Sequence, residues 1–367
     1  MIPFTKIDDK ISSNSKKLIN SKIKKIINSR NFTSGKNVKQ FEKNFAKFVG
    51  AKYCATVNSG TTALFLSLLS IGLQKNDEVI LAGNSFISTA WAVSYCGAKP
   101  VFADVDKNNF LIDIDGINKL ITKKTKCVLI THLYGKPVDI IFLKKKLKNR
   151  NIIIIEDSSQ AHGSKLNNVV IGGHGNINSF SFYPTKNLGT YGEGGAITTN
   201  NYQIYKKLLL LRNHAQRKKY IHEFLSYNFR FNEIQAAILN IKIKDLKKSN
   251  LERNKIANIY ISKLKQIKEI QLPISEANKF SCYHLFVIHL KKRNQLKEYL
   301  NKNNIQTGLH YPKPIHLQPA YKYLNYKIGD LKNCEYNAKY CLSLPMYYGL
   351  KKSDVLFICE KIKTFFK

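Results

Sequence analysis

The feature that most constrains the fold of this chain is a repeated alternation of short apolar segments with stretches long enough to form a helix. The segment "CATVNSG" is typical of a strand that ends in a turn, "TTALFLSLLSIG" of a helix closed by Gly72, and "DEVIL" of a buried strand. The alternation continues through "GAKPVFADV", "TKCVLITHL", "NIIIIED" and "SFSFYP". Such apolar strands, separated by helices, indicate a mostly parallel sheet covered on both faces. The pattern predicts an α/β fold.

The pattern changes in the last third of the chain. Residues 232–267 have continuous helical spacing, and after "LPIS" come a strand-like "CYHLFVIHL", a helix around Leu296 and a terminal helix in "SDVLFICEKIKTFF". This change predicts a second, smaller α/β domain, with the large domain spanning residues 1–245 and the small one 246–367. The large domain begins with an amphipathic helix in "SKKLINSKIKKIINSR", whose predicted apolar face holds Leu18, Ile19, Ile23, Ile26 and Ile27.

The chain is strongly basic, with 60 Lys and Arg against 24 Asp and Glu and a formal net charge of +36. The lysines are spread along its whole length and form no basic tail, which is typical of the solvated faces of helices. Dedicated nucleic-acid binding is therefore not favoured, whereas an anionic small molecule is compatible with the charge.

Composition also limits the compartment and the kind of site. Seven cysteines without a CxxC pair indicate neither a disulfide framework nor a zinc site, and no histidine pair has the spacing of a metal site. The start "MIPFTKIDDK" lacks an apolar signal core, and the longest apolar runs are strand-sized. We therefore expect a cytoplasmic protein with no metal and no membrane segment.

Four polar stretches lie where a predicted strand runs into a loop, the place where ligands bind in open parallel sheets. They are "NSGTTAL", "EDSSQAHG", "SFSFYPTKN" and "SYNFRFNEIQAA". In the first, Gly60 permits close backbone approach, and the hydroxyls of Thr61 and Thr62 stand at a helix N-terminus, which is either an anion site or a simple helix cap. In the second, Asp157 ends an apolar strand and needs a basic or hydrogen-bonding partner, since burying an unpaired charge is costly.

The third stretch holds a single lysine, Lys186, among small and hydroxyl residues that include Ser181. A partly desolvated lysine amine shifts towards its neutral, nucleophilic form. A nucleophilic lysine, an acid for a basic ring nitrogen and a hydroxyl-lined anion site together match the needs of pyridoxal 5'-phosphate (PLP). The alternative interpretation is an exposed, structural Lys186.

At this point the sequence resembles the DegT/DnrJ/StrS family of PLP-dependent nucleotide-sugar aminotransferases. The resemblance runs from "FTSGKNVKQFEKNFAKFVGAKYCATVNSGTTAL" through "EDSSQAHGS", "SFYPTKNLGTYGEGGAITT" and "YNFRFNEIQAAIL" to "HYPKPIHLQPAY" and "LSLPMYYGL". It implies the fold-type I architecture of aspartate aminotransferase. This comprises a large PLP-binding domain with a mostly parallel seven-stranded sheet flanked by helices, and a smaller C-terminal α/β domain.

The resemblance also implies roles for individual residues. Lys186 would bind the cofactor aldehyde, Asp157 would keep the pyridine nitrogen protonated, Gln160 would contact the phenolic oxygen, and Phe86 would stack on the ring. The phosphate would be held at Gly60 by Thr61, Thr62 and Ser181, with Asn228 reaching it from the neighbouring subunit of a homodimer with shared active sites. Substrate contacts are expected from Tyr183, His310, Tyr311 and His316. Candidates to pair with the pyrophosphate of a nucleoside-diphosphate sugar are the basic residues Arg30, Arg212, Arg217, Lys218 and Lys219. For His132 and His162 a structural role is favoured, and His174, His222 and His289 receive no role.

The implied reaction is transfer of an amino group from L-glutamate to C3 or C4 of a keto-deoxy sugar carried on dTDP or UDP, for surface polysaccharide or glycan. Three alternatives remain at this point. A sugar dehydratase of the same fold uses pyridoxamine phosphate (PMP) but has histidine in place of the reactive lysine, so Lys186 argues against it. A regulatory or binding protein without activity, and a basic nucleic-acid binder, are the others.

Overall fold

The computed structural model describes residues 1–7, 11–174 and 177–367 of the chain. Within these ranges fourteen strands form: β1 (Tyr53–Val57), β2 (Glu78–Ala82), β3 (Lys99–Ala103), β4 (Thr125–Thr131), β5 (Ile153–Asp157), β6 (Lys165–Leu166), β7 (Val169–Val170), β8 (Ile177–Ser181), β9 (Gly195–Thr199), β10 (Gln216–Lys218), β11 (Ile221–His222), β12 (Lys279–Phe280), β13 (Phe286–His289) and β14 (Cys341–Leu344).

The described residues also form twelve α-helices: α1 (Ser13–Ser29), α2 (Lys36–Val49), α3 (Gly60–Ser70), α4 (Ser88–Tyr95), α5 (Ile114–Ile117), α6 (Ile140–Lys146), α7 (Tyr202–Leu211), α8 (Glu233–Lys242), α9 (Leu246–Leu264), α10 (Arg293–Lys302), α11 (Lys332–Tyr340) and α12 (Lys352–Phe365). Short 3-10 turns occur at Asn118–Leu120, Leu133–Gly135, Ile243–Asp245, Ile315–Leu317 and Pro319–Leu324.

Seven strands of the described chain form the central sheet in the order β1-β9-β8-β5-β4-β2-β3. Neighbours from β8 to β3 pair in parallel, whereas β9 is antiparallel to both β1 and β8. Strands β2, β8 and β9 are buried at every position, which explains why they are uninterrupted by charge at their centres. The prediction of a mostly parallel seven-stranded sheet flanked by helices is confirmed.

Helix α3 crosses the sheet and determines where the site lies. It contacts β8, β9 and α4, and its apolar residues are buried on nearly every side, as expected for a helix enclosed by other elements. Its cap is Ser59, whose Oγ accepts a hydrogen bond from the amide of Thr62 at 3.1 Å, and Gly72 ends it in the left-handed conformation. The N-terminus of α3 therefore faces the carboxyl ends of the parallel strands.

A second hydrophobic core lies in the last third of the chain. Helices α9, α10 and α12 pack around the antiparallel pair β13 and β14, with Tyr260, Phe286 and Leu342 fully buried. The predicted boundary after residue 245 falls at the 3-10 turn Ile243–Asp245, between α8 and α9, and stays a prediction. The N-terminal residues reach this second core, since Ile2 pairs with Ile305.

Helix α1 forms as predicted, but its buried face is narrower than expected. Ile19 packs against Ile238 and Ile241 of α8, and Ile26 is buried as well, whereas Leu18 and Ile27 are 43% and 53% exposed. A helix that lies on the surface and packs against one neighbour buries only a narrow stripe, so only part of the predicted apolar face is covered.

Within the described ranges, no helix has the length and apolar character needed to cross a membrane, and no group of three or more His, Cys, Asp or Glu side chains is arranged to hold a metal ion. All seven cysteines are free thiols.

Candidate active site

A cavity of about 490 Å³ opens at the carboxyl ends of the parallel strands, beside the N-terminus of α3. Its walls come from both hydrophobic cores, because segments of residues 284–311 close it from the side opposite the sheet. The lining residues predicted from the sequence are Gly60, Thr61, Phe86, Asp157, Gln160, Ser181, Tyr183, Lys186, His310 and Tyr311. Residues far apart in the chain are thus brought to one cavity.

Lys186 follows β8 in a turn in which its amide donates to the carbonyl of Tyr183 at 2.9 Å. Among the described residues, Nζ of Lys186 has no hydrogen-bond or ion-pair partner. Burial lowers the pKa of this amine, and the charge of Asp157 opposes the shift. An amine with a lowered pKa has a larger neutral fraction, which is the nucleophilic form.

Asp157 ends β5 and is 6% exposed. Its Oδ1 accepts the amide hydrogen of Ser159 at 3.1 Å. Burial raises the pKa of this carboxyl, while hydrogen bonds from Ser159 and the charge of Lys186 act in the opposite direction. Because the ionised form of Asp157 is destabilised by burial, a further cation that enters the cavity stabilises it.

The N-terminus of α3 provides hydrogen-bond donors for an anion. Ser59 binds the amides of Thr62 and Ala63, through its Oγ and its carbonyl, so within the described chain the amides of Gly60 and Thr61 remain for a ligand. Ser181 approaches this end closely, because a Cβ on Gly60 would lie 2.5 Å from its Cβ.

Thr62 does not line the cavity, although the sequence placed it with Thr61. Both its amide and its hydroxyl face the Oγ of Ser59, at 3.1 and 2.9 Å. The hydroxyl of Thr61 donates to the Oγ of Ser88 at 3.0 Å and does line the cavity. The two threonines separate because successive residues of a helix point in different directions.

A pair of aromatic side chains lines the cavity. The ring of Phe86 packs at a tilt of 45° against that of Tyr311, with 5.6 Å between the centroids. Gln160 is oriented by the amide of Tyr134, which donates to its Oε1 at 2.7 Å, and its Nε2 donates to the hydroxyl of Tyr311 at 3.2 Å. Gln160 therefore presents N–H groups to the cavity and matches an oxygen acceptor.

Eight residues of the cavity wall were not singled out from the sequence, namely Ser59, Leu64, Ser88, Thr131, Ser159, Thr185, Glu193 and His284. Ser59 carries a recognisable signal, because serine before a helix start is a common cap. Glu193 lies in "GEGG", which gives no indication of where its side chain points. His284 belongs to a segment of the second core, and no local sequence pattern indicates that it lines the cavity.

The structure does not bring Arg217, Lys218 and Asn228 into the cavity of their own chain. Arg217 and Lys218 lie on the exposed hairpin β10–β11, where Arg217 pairs with Glu223. Asn228 is exposed and pairs with Asn213 through backbone atoms. The contribution of Asn228 to the cavity of a neighbouring subunit stays a prediction, as do the substrate contacts of Arg217 and Lys218.

Arg212, proposed from the sequence as a candidate for pyrophosphate, is used inside the fold. Its Nη1 binds Glu42 and the carbonyl of Thr56, the latter at 2.8 Å, and it does not line the cavity. That candidate role was wrong, because a half-buried guanidinium takes the nearest buried carboxylate as its partner.

The histidines next to the site motifs are enclosed. Nε2 of His132 lies 2.9 Å from Glu156, and its Nδ1 accepts from the amide of Val138 at 3.0 Å. His162 packs on the rings of Phe180 and Phe182, and burial lowers its pKa to about 3. Neither lines the cavity, which agrees with the expected structural role.

Comparisons with known proteins agree with this geometry. Residues 13–363 match the DegT/DnrJ/EryC1/StrS aminotransferase family. The dTDP-3-amino-3,6-dideoxy-alpha-D-galactopyranose transaminase of Aneurinibacillus thermoaerophilus is 40% identical over 368 residues, which cover 100% of this chain and 99% of that protein.

Solved structures share the whole fold. The crystal structure of S. venezuelae DesV in complex with a ketimine intermediate superposes with a TM-score of 0.95 at 33% identity, covering 99% of this chain and 98% of the other. That of NtdA from Bacillus subtilis with bound cofactor PMP gives a TM-score of 0.90 at 30% identity, covering 99% and 85%. The architecture is that of the PLP aminotransferases, and the chain belongs to the DegT/DnrJ/EryC1/StrS aminotransferase family.

Proposed function

We propose that this protein is a PLP-dependent aminotransferase that moves an amino group from L-glutamate to a nucleotide-linked keto sugar. The observation that carries the proposal is the placement of Lys186, Asp157 and the free amides of α3 around one cavity. Family membership and the PMP bound to NtdA support the cofactor.

The residues present fit PLP group by group. The amides of Gly60 and Thr61, with the hydroxyl of Ser181, suit a phosphate. The buried carboxylate of Asp157 suits a protonated pyridine nitrogen, and the N–H groups of Gln160 suit a phenolic oxygen. Lys186 offers the amine that an aldehyde requires. When bound, the cofactor supplies an electron sink for the substrate carbon that loses its proton.

The residues of the chain itself would have separate roles in the reaction. Asp157 would hold a proton on the ring nitrogen through an ion pair, which the low dielectric of its position would strengthen. Lys186, once released, would take the proton from the α-carbon of the amino donor and give it to the carbon of the cofactor aldehyde. It would move a proton in the reverse direction for the keto sugar, acting as a general base and acid. Phe86 and Tyr311 pack against each other in the cavity wall and would limit access of water.

The substrate is inferred from relatives and from the cavity. The 40% identical transaminase is named for a 3-amino sugar on dTDP, so a dTDP-linked keto-6-deoxyhexose is the first acceptor to test, with C4 and UDP-linked ketones next. Tyr183, His310 and Tyr311 also line the cavity and are proposed to contact the sugar.

A homodimer is proposed because three predicted contacts are missing from the single chain. Asn228, Arg217 and Lys218 are exposed in the described structure, which suits residues that complete the cavity of a neighbouring copy. We also propose that the chain divides into two domains at residue 245, that the protein is cytoplasmic, and that its product is destined for surface polysaccharide.

The test is the visible absorbance of the purified, PLP-loaded protein before and after addition of L-glutamate. We expect the band of the bound cofactor to bleach in the wild type, to be absent or unresponsive in Lys186→Ala, and to bleach about 100-fold or more slowly in Asp157→Ala. Lys126→Ala, an exposed lysine on β4, is the matched control and should behave as the wild type. A wild-type protein that shows no band with added PLP would contradict the proposal and favour a binding or regulatory protein.

A further inference from the structure

His284 is the cavity residue that the proposed roles leave unused. It lies just before β13, is buried, and its imidazole lines the same cavity as Lys186. Its backbone is held in place by Arg253, whose Nη1 donates to the carbonyls of Tyr283 at 3.2 Å and of His284 at 3.5 Å. The ring is therefore presented from a rigid segment.

The hydrogen bonds around Asn187 determine which ring nitrogen of His284 carries the proton. Nδ2 of Asn187 lies 2.9 Å from the carbonyl oxygen of Cys282, which only accepts, so this end of the amide is the donor. Nδ2 also donates to Oδ1 of Asn250 at 2.9 Å, and the opposite end of Asn250 donates to the carbonyl of His162 at 2.7 Å.

Oδ1 of Asn187 is thus an acceptor, and it lies 3.2 Å from Nδ1 of His284. Nδ1 must carry the hydrogen, which leaves Nε2 with a lone pair. Among the described residues nothing hydrogen-bonds to Nε2. Burial, the charge of Lys186 and that of Arg253 lower the pKa of His284 well below its usual value, so the ring stays neutral.

A released Lys186 needs an acceptor for its N–H groups. The charge of Asp157 acts on this amine, but in the proposed function Asp157 is occupied by the ring nitrogen of the cofactor. Asn187 directly follows Lys186, so the amide that orients His284 is attached to the segment carrying the reactive amine.

We propose that His284 is a positioning residue, and that its Nε2 accepts a hydrogen bond from the amine of Lys186 once that amine has been released from the bound cofactor. The inference rests on the proposed function. Because Lys186 is released in both half-reactions, His284 acts on both equally. Such an acceptor directs the lone pair of the amine towards the substrate carbon, and no proton leaves the lysine in this step.

Two substitutions separate this role from simple support of the fold. His284→Asn keeps an N–H near the position of Nδ1 and removes the acceptor, whereas His284→Gln can place an amide oxygen near the position of Nε2. With PLP-loaded full-length protein, single-turnover rates are measured with L-glutamate and, from the aminated form, with 2-oxoglutarate. We expect His284→Asn to slow both half-reactions about tenfold or more, and His284→Gln to recover most of the loss.

His289→Gln is the control, because His289 ends β13 five residues after His284, bonds Asn337 through Nε2 and does not line the cavity. Equal rates for wild type and His284→Asn, equal losses in both His284 variants, or a loss in only one half-reaction would overturn the inference.

A measurement independent of activity accompanies these rates. In ¹⁵N-histidine-labelled protein, with His284 assigned by its absence in His284→Asn, Nδ1 should be protonated and Nε2 unprotonated at neutral pH. A proton on Nε2 overturns the inference even if the enzyme is active. A wild type that fails to respond to L-glutamate contradicts the proposed function, and the protonation of Nε2 then still decides whether His284 offers an acceptor.

Discussion

Replacing Gly60 with alanine should weaken cofactor binding by separating the N-terminus of α3 from the end of β8. The new Cβ would lie 2.5 Å from Cβ and 3.1 Å from Cα of Ser181, and ordinary contact begins at 3.4 Å. Relief of the shorter contact requires a shift of about 0.9 Å, and because Cα of Ser181 belongs to a buried strand, rotation of a side chain cannot supply it.

The size of the effect follows from hydrogen-bond geometry. A shift of that size takes an N–H···O distance of about 2.9 Å beyond 3.5 Å, where the bond is lost. Loss of one bond to a charged phosphate, about 1.5–3 kcal/mol, corresponds to roughly 10- to 100-fold weaker affinity.

The assay is titration of cofactor-free protein with PLP, followed by absorbance, with far-ultraviolet circular dichroism as a check on folding. Gly192→Ala is the matched control, since its new Cβ would lie 3.0 Å from Nε2 of Gln235, the end of a flexible side chain. Wild-type affinity in a folded Gly60→Ala protein would refute the assignment of the phosphate to this helix end.

Two further predictions concern stability. Arg212→Met leaves the carboxylate of Glu42, which is 11% exposed, without its cation, and should lower the free energy of unfolding in urea by about 3 kcal/mol. The double variant Glu42→Gln/Arg212→Met should recover part of this loss. An unchanged urea midpoint in the single variant would show that the ion pair contributes nothing to stability. His289 has a pKa lowered to about 4 from 6.5 because it is buried. Between these pH values the unfolded chain binds more protons than the folded chain, so the free energy of unfolding falls as the pH drops from 6.5 towards 4. His289→Gln should reduce the number of protons taken up on unfolding by up to about one. The measurement is urea unfolding at several pH values. An identical pH dependence in the variant would show that His289 titrates normally in the folded protein.

The order of strands and helices could be predicted because each signal is local. The apolar run before Asp157 and the alternation of segments around it depend on neighbours a few residues away, and they correctly indicated β5 and a parallel sheet. Helix α1 shows the limit of such reasoning, since Leu18 and Ile27 have helical apolar spacing but no element covers them in the described chain.

The candidate site was predicted where its residues follow strand ends. Lys186, Asp157 and Thr61 lie directly after or beside strands whose carboxyl ends meet, so their convergence follows from the sheet itself. Arg212 was misassigned because charge and position near a site motif do not reveal a buried partner 170 residues away, Glu42.

The sequence alone thus determined the α/β class, the places of Lys186 and Asp157 after strand ends, and the helix end that suits an anion, because these depend on spacing within single segments. The tertiary structure decided which amides of α3 stay free, that Thr62 turns away, and that His284 enters the cavity with an unprotonated Nε2. The place of His284 depends on packing and hydrogen bonds between distant segments, since 97 residues separate Asn187 from His284. No local sequence pattern indicates such contacts, because they form only when the two hydrophobic cores pack against each other.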